Sequence, residues 1–108
     1  MNADTIENSL PYRIEYSPDA VDHLRGLPVR DQRIVVDGVD EQLAHQPLVE
    51  TRNRKPMRPN PIAPWELRIG QLRVYYEVKE EPDPVVTVLA VGVKDRNVVR
   101  IGGEEVNL

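Results

Sequence analysis

The sequence predicts an α+β fold: an N-terminal strand, a two-helix hairpin, then an antiparallel meander of three or four strands. Three observations carry this. From Leu67 to Val78 apolar and polar residues alternate, broken only at Gly70-Gln71, as in two strands joined by a two-residue hairpin loop. Val85 to Val91 is an almost unbroken apolar run rich in β-branched residues, the pattern of a central strand buried on both faces. Between Ser17 and Pro47 the apolar residues recur at helical spacing instead,. Strand, helix pair and strands in that order favour an antiparallel sheet covered on one face by the helices.

Taken in order, Met1 to Pro11 is polar and aperiodic, and a flexible tail is expected there, before a single domain spanning 12–108. Tyr12, Ile14 and Tyr16 alternate with Arg13 and Glu15 as a short first strand. Ser17-Pro18-Asp19 is a helix start, with Ser as N-cap, Pro at the first helical position and an acid favourable to the dipole,. Val21, Leu24 and Leu27 would line that helix's inner side, and Gly26 and Pro28 end it. A longer helix is expected from about Val29 to Gln46, stopped by Pro47, with Val36, Val39 and Leu43 inward and Ile34 or Val35 beside them. Gly38 weakens it by up to about 1 kcal/mol relative to Ala, which makes sense where helix and sheet approach closely.

In the hairpin, Ile69 should face Leu72, Leu67 face Val74 and Trp65 face Tyr76 on one side of the sheet,. The other side then sets Arg68 across from Arg73 and Glu66 across from Tyr75. Like charges paired across strands cost up to about 1 kcal/mol. Either an anion lies over that face, or the two arginines splay into solvent and are neutralised by Glu66 or Glu77. Gly92 is expected to end the central strand, with Lys94, Asp95, Arg96 and Arg100 following at once. Basic residues at the end of a central strand sit where open sheets commonly offer a crevice.

Composition narrows the function classes. There is no cysteine, so disulfides and thiolate metal sites are excluded, and a reducing cytoplasmic setting is expected. Two histidines without a neighbouring acidic cluster give no expectation of a metal or other cofactor,. No stretch approaches the roughly 20 apolar residues of a membrane span. The net charge of −4 argues at first against a polyanionic partner,. Its distribution argues for one: from Arg52 to Arg73 lie six basic residues and one acid, Glu66. Four of the ten prolines fall between Leu48 and Pro64, interleaved with Arg52, Arg54, Lys55 and Arg58. Proline lowers the entropy of a loop before it binds, so its charges are presented at smaller cost; the plainer reading is a solvated connection.

Several of these motifs together resemble the RelE/ParE superfamily, the small toxins of bacterial type II toxin–antitoxin modules. They are a first strand ending in Ser17-Pro18-Asp19-Ala20, a helical pair, Leu67-Arg68-Ile69-Gly70 with Arg73-Val74-Tyr75-Tyr76, and Ala90-Val91-Gly92 followed by charges. The likeness runs from Tyr12 to about Arg100. It implies a RelE-like fold and a ribosome-dependent, metal-independent mRNA endoribonuclease, in which the 2′-hydroxyl attacks the adjacent phosphate. Arg73 falls on the family's phosphate-contacting arginine and Lys94 where a second cation is common, so these two are the implied catalytic residues. Arg54, Lys55, Arg58, Arg68, Arg96 and Arg100 are candidate phosphate contacts, and Tyr75 a platform for base stacking. Tyr75 could equally be an ordinary sheet tyrosine, and Arg100 a solvated edge-strand arginine.

The chain departs from the family where a tyrosine or histidine often assists proton transfer: here the residues are Asn97-Val98-Val99-Arg100. The lysines some members carry before the hairpin are Pro64 and Glu66 here. Two further functions are therefore carried: a ParE-type toxin that poisons DNA gyrase by binding, and a weakened relic that binds its antitoxin. All three imply a cognate antitoxin covering the basic face, in a hetero-oligomer; the first adds mRNA on the ribosome as partner.

Overall fold

In the computed structural model, which describes residues 11–108, β1 (Arg13–Tyr16) runs into α1 (Pro18–Arg25) and α2 (Val29–Leu43). The tail expected before Tyr12 lies, but for Pro11, outside the described residues. Ser17 caps α1 as its type suggests: its hydroxyl accepts from the Ala20 N–H at 3.1 Å, and Pro18 opens the helix,. α2 ends at Leu43 rather than Gln46, because the residues before a proline are pushed out of helical geometry and Pro47 lies just ahead. Its buried stripe is Val35, Val39 and Leu43, whereas Val36, expected inside, is 37% exposed. Two adjacent valines fit either register of the stripe, and contact with the sheet selects the first. Gly38 does mark a close approach: a Cβ there would lie 2.5 Å from Ile69 Cδ1.

Six strands follow: β2 (Arg54–Pro56), β3 (Trp65–Ile69), β4 (Leu72–Lys79), β5 (Val85–Asp95), β6 (Val98–Ile101) and β7 (Glu104–Val106). They form an antiparallel meander in chain order, and β1 adds parallel to β5, from Arg13 opposite Val85 to Tyr16 opposite Val88. The α+β class and the helix pair on one face hold. The meander is longer than three or four strands because β2, β6 and β7 are three- and four-residue pieces without readable alternation. The β3–β4 hairpin has the expected register, Trp65 opposite Tyr76 and Arg68 opposite Arg73, with Gly70 in the left-handed region at φ +58°,.

Gly92 does not end β5. The strand continues to Asp95 and changes partner along one edge, from β1 to β6, with Gly92 opposite Ile101. A Cβ at Gly92 would stand 2.7 Å from the Arg100 carbonyl oxygen, so glycine is what lets β6 come in. Between these two partners the edge of β5 is closed by α1. Ser17 Oγ donates to the Leu89 carbonyl at 3.2 Å, and His23 Nδ1 accepts from the Val91 N–H at 3.3 Å. His23 is thus half-buried and engaged.

One irregularity decides which β5 side chains point where. Opposite β4 the register slips: Tyr75 pairs with Ala90 but Tyr76 with Val88. Leu89 is an extra residue, a β-bulge, and the alternation of faces inverts across it. Val86 and Val88 face the helices before it, Val91 and Val93 after it. Gly92 and Lys94 consequently fall on the face away from the helices.

That second face is not bare. The proline segment folds over part of it, closed by the Met57 N–H donating to the Pro64 carbonyl at 2.8 Å. Asn60 braces the turn with its amide: Nδ2 donates to the Arg58 and Ala63 carbonyls, and Oδ1 accepts from the Ile62 and Ala63 N–H groups. Ala63, Tyr75, Ala90 and Ile101 form a small second core there, flanked by Met57, Ile62 and Leu89. Among the described residues no helix is long and apolar enough to cross a membrane.

Candidate nucleic-acid interface

The part of this face left open is a groove of about 540 Å³, and Lys55, Arg58, Glu66, Arg68, Arg73 and Lys94 line it with Asn97, Val99 and Val106. Each cation arrives by a separate route. Arg68 and Arg73 face it from β3 and β4 by strand alternation, Lys55 from β2 opposite Glu66, and Arg58 from the proline segment. Lys94 arrives because of the bulge at Leu89, and the Lys94 N–H, donating to the Gln71 carbonyl at 2.7 Å, fixes β5 against the hairpin turn.

The paired arginines differ. Arg68 Nε meets Glu66 Oε1 at 2.8 Å, so this arginine is neutralised by its strand neighbour. Arg73 has no acid: among the described residues its only hydrogen bonds are from Nη1 to the Gly70 and Leu72 carbonyls, at 2.7 and 2.9 Å. Those carbonyls orient the guanidinium without cancelling its charge. Gly92, directly across on β5, places no side chain over it. Lys94 likewise has no carboxylate within ion-pair distance among the described residues, while Lys55 meets Glu50 at 3.4 Å in an exposed pair. Exposed pairs are worth at most about 1 kcal/mol, so Lys55 stays available to a stronger anion.

Four of the residues picked from sequence are not brought to this groove. Arg54 lies on the helix side, opposite Leu67, where Nε donates to the Val49 carbonyl and Nη1 to the Gln42 carbonyl and side chain. It braces the end of α2. Tyr75 is on the groove side but fully buried in the second core, so it offers no ring face for stacking. Its hydroxyl has no hydrogen-bond partner among the described residues. Burial, and then the Glu66 carboxylate beside it, push the phenol far above its ordinary titration range,. Arg96 sits in the β5–β6 turn at φ +61°, exposed and outside the groove. Arg100 pairs with Val93 and Glu105, which puts it on the opposite face from Lys94 and Val99.

The residue not singled out as a site residue from sequence is Glu66, the one carboxylate side chain lining the groove among the described residues. Its signal was present: a lone acid inside a basic segment, cross-strand from Tyr75.

A chain of the crystal structure of the toxin–antitoxin complex RelBE2 from Mycobacterium tuberculosis superposes on this one with a TM-score of 0.68 and 28% sequence identity. The match covers 79% of this chain and 100% of that one. No protein-family profile and no curated protein matches the sequence.

Proposed function

We propose that this chain, a member of the RelE/ParE superfamily, is the toxin of a type II toxin–antitoxin pair and a ribosome-dependent mRNA endoribonuclease. The observation that carries this is the groove itself, where cations from β2, β3, β4, β5 and the proline segment converge on one open patch of a chain whose net charge is −4. Arg73, held by backbone carbonyls and free of acids among the described residues, grips the scissile phosphate. Negative charge grows on the non-bridging oxygens as a 2′-hydroxyl attacks, and preoriented donors stabilise that state more than the ground state. Lys94 supplies a second positive charge next to it, though without the planar bidentate fork of arginine. Lys55, Arg58 and Arg68 hold the flanking backbone. The products are a cyclic phosphate and a free 5′-hydroxyl. A partner antitoxin, in keeping with the complex that the structural neighbour comes from, would cover this groove and block it.

Inducing the protein in bacteria and locating mRNA 5′ ends tests the reading. Cuts within codons that disappear in Arg73→Ala are expected. Growth arrest with DNA damage and intact mRNA would point to gyrase as target, and no arrest at all to an antitoxin-binding relic.

A further inference from the structure

We infer that Glu66 is the general base of the reaction, taking the proton from the attacking 2′-hydroxyl. The inference rests on the ribonuclease reading above. Cleavage by an internal hydroxyl needs an acceptor with a free lone pair at neutral pH. Lys55, Arg58, Arg68, Arg73 and Lys94 are donors only when charged. Neither histidine lines the groove: His23 accepts the Val91 N–H at the β5 edge, and His45 lies exposed beyond the end of α2. Asn97 carries a neutral amide. Tyr75 is sealed in the second core, with a hydroxyl that burial and Glu66 hold protonated.

Glu66 has the place and the chemistry. It is the second residue of β3, between Lys55 on β2 and Tyr75 on β4, with its side chain 11% exposed. Arg68 Nε donates to Oε1 at 2.8 Å, and the Tyr75 hydroxyl lies close to the same carboxylate from the buried side. One oxygen is therefore fixed, and the carboxylate lines a groove that also holds Arg73, Lys94 and Arg58. Oε2 takes the 2′-hydroxyl proton as the 2′-oxygen bonds to phosphorus. The bond from phosphorus to the 5′-oxygen breaks, and that oxygen takes a proton from the Lys94 ammonium. Exchange with water then returns a proton to Lys94 and removes the one on Glu66.

Single-turnover cleavage of ribosome-bound mRNA by wild type, Glu66→Gln, Glu66→Asp and Arg73→Ala is the test. Binding is measured on the same mRNA carrying a 2′-deoxy sugar at the cut, and thermal unfolding checks the fold. Glutamine keeps the shape and can still accept from Arg68, but it is no base. Its cleavage rate should fall by about 100-fold or more, with binding unchanged or tighter because a negative charge is gone. Glu66→Asp, a base set back by one methylene, should fall in between. Cleavage by Glu66→Gln at the wild-type rate overturns the role of Glu66 and leaves the nuclease intact. Binding lost in step with cleavage makes Glu66 a brace for Arg68 and overturns it too. A wild type that binds mRNA and leaves it whole overturns the nuclease reading and the base together.

Discussion

Arg54 and Arg73 are buried to the same degree, 7% and 8% exposed, on opposite faces of one sheet, and they do opposite things. On the covered face, Arg54 gives Nε and Nη1 to the Val49 carbonyl, the Gln42 carbonyl and the Gln42 side chain. On the open face, among the described residues, Arg73 gives only Nη1, to two carbonyls of the adjoining hairpin. Burial alone does not distinguish a bracing cation from one that the proposed reaction would use. What distinguishes them is where the donors end: in carbonyls that would otherwise go unsatisfied, or in a groove shared with other cations.

The largest expected effect breaks the comparison on the covered side. Arg54→Met keeps the aliphatic stem and removes the bonds that hold the end of α2, leaving part-buried carbonyls without donors. The loss of unfolding free energy in urea should be about 3 kcal/mol; a loss below about 1 kcal/mol would contradict the brace, given the usual cost of one such bond. On the open side the effect should move from stability to activity. Arg73→Ala should lower mRNA cleavage by about 100-fold, as removal of one preoriented donor does elsewhere, while costing about 2 kcal/mol of stability for its two carbonyl bonds, less than Arg54→Met. Arg73→Lys should recover part of the activity only, since it restores charge without the fork.

Next comes the strand that joins the two faces. Gly92→Ala puts a methyl within 2.7 Å of the Arg100 carbonyl oxygen and 2.9 Å of Ile101 Cγ1. Backbone cannot step aside as a flexible side chain can, so β6 must shift, at a cost of about 2 kcal/mol by thermal or chemical unfolding. Gly38→Ala makes a useful contrast: its close neighbour is the tip of Ile69, which can rotate, and alanine favours helix by about 1 kcal/mol, so a smaller change is expected there.

Much of this is legible in the sequence alone. The hairpin register is written in the alternation around Gly70-Gln71, and it correctly set Arg68 across from Arg73. The helix start was plain in Ser17-Pro18. What was hidden had a common cause: a one-residue choice of face. Arg54 and Lys55 are neighbours in a three-residue strand with no apolar pattern, so nothing local says which of them looks outward. Val35 and Val36 offer α2 two equivalent stripes. Tyr75 faces the predicted side, but its burial comes from the proline segment folding over it through contacts distant in sequence.

The smallest expected effects lie past the bulge, and they sharpen the contrast most finely. A strand without the slip at Leu89 would turn Lys94 toward the helices; with it, Lys94 faces the groove and Arg100 faces away. Lys94→Ala should therefore slow cleavage by about tenfold, the worth of roughly 1.4 kcal/mol in a transition state. Arg96→Ala and Arg100→Ala each remove one positive charge from the same end of the sheet and leave net charge equal to that of Lys94→Ala. If only the overall field mattered, the three variants would match and would share one salt dependence. Position requires otherwise: Arg96 stands in the turn and Arg100 pairs with Glu105 on the far face, so both should cleave at close to the wild-type rate and change stability by less than about 0.5 kcal/mol. Three variants of equal charge with equal losses would mean that RNA is held by diffuse attraction, and that the face on which a cation sits decides nothing.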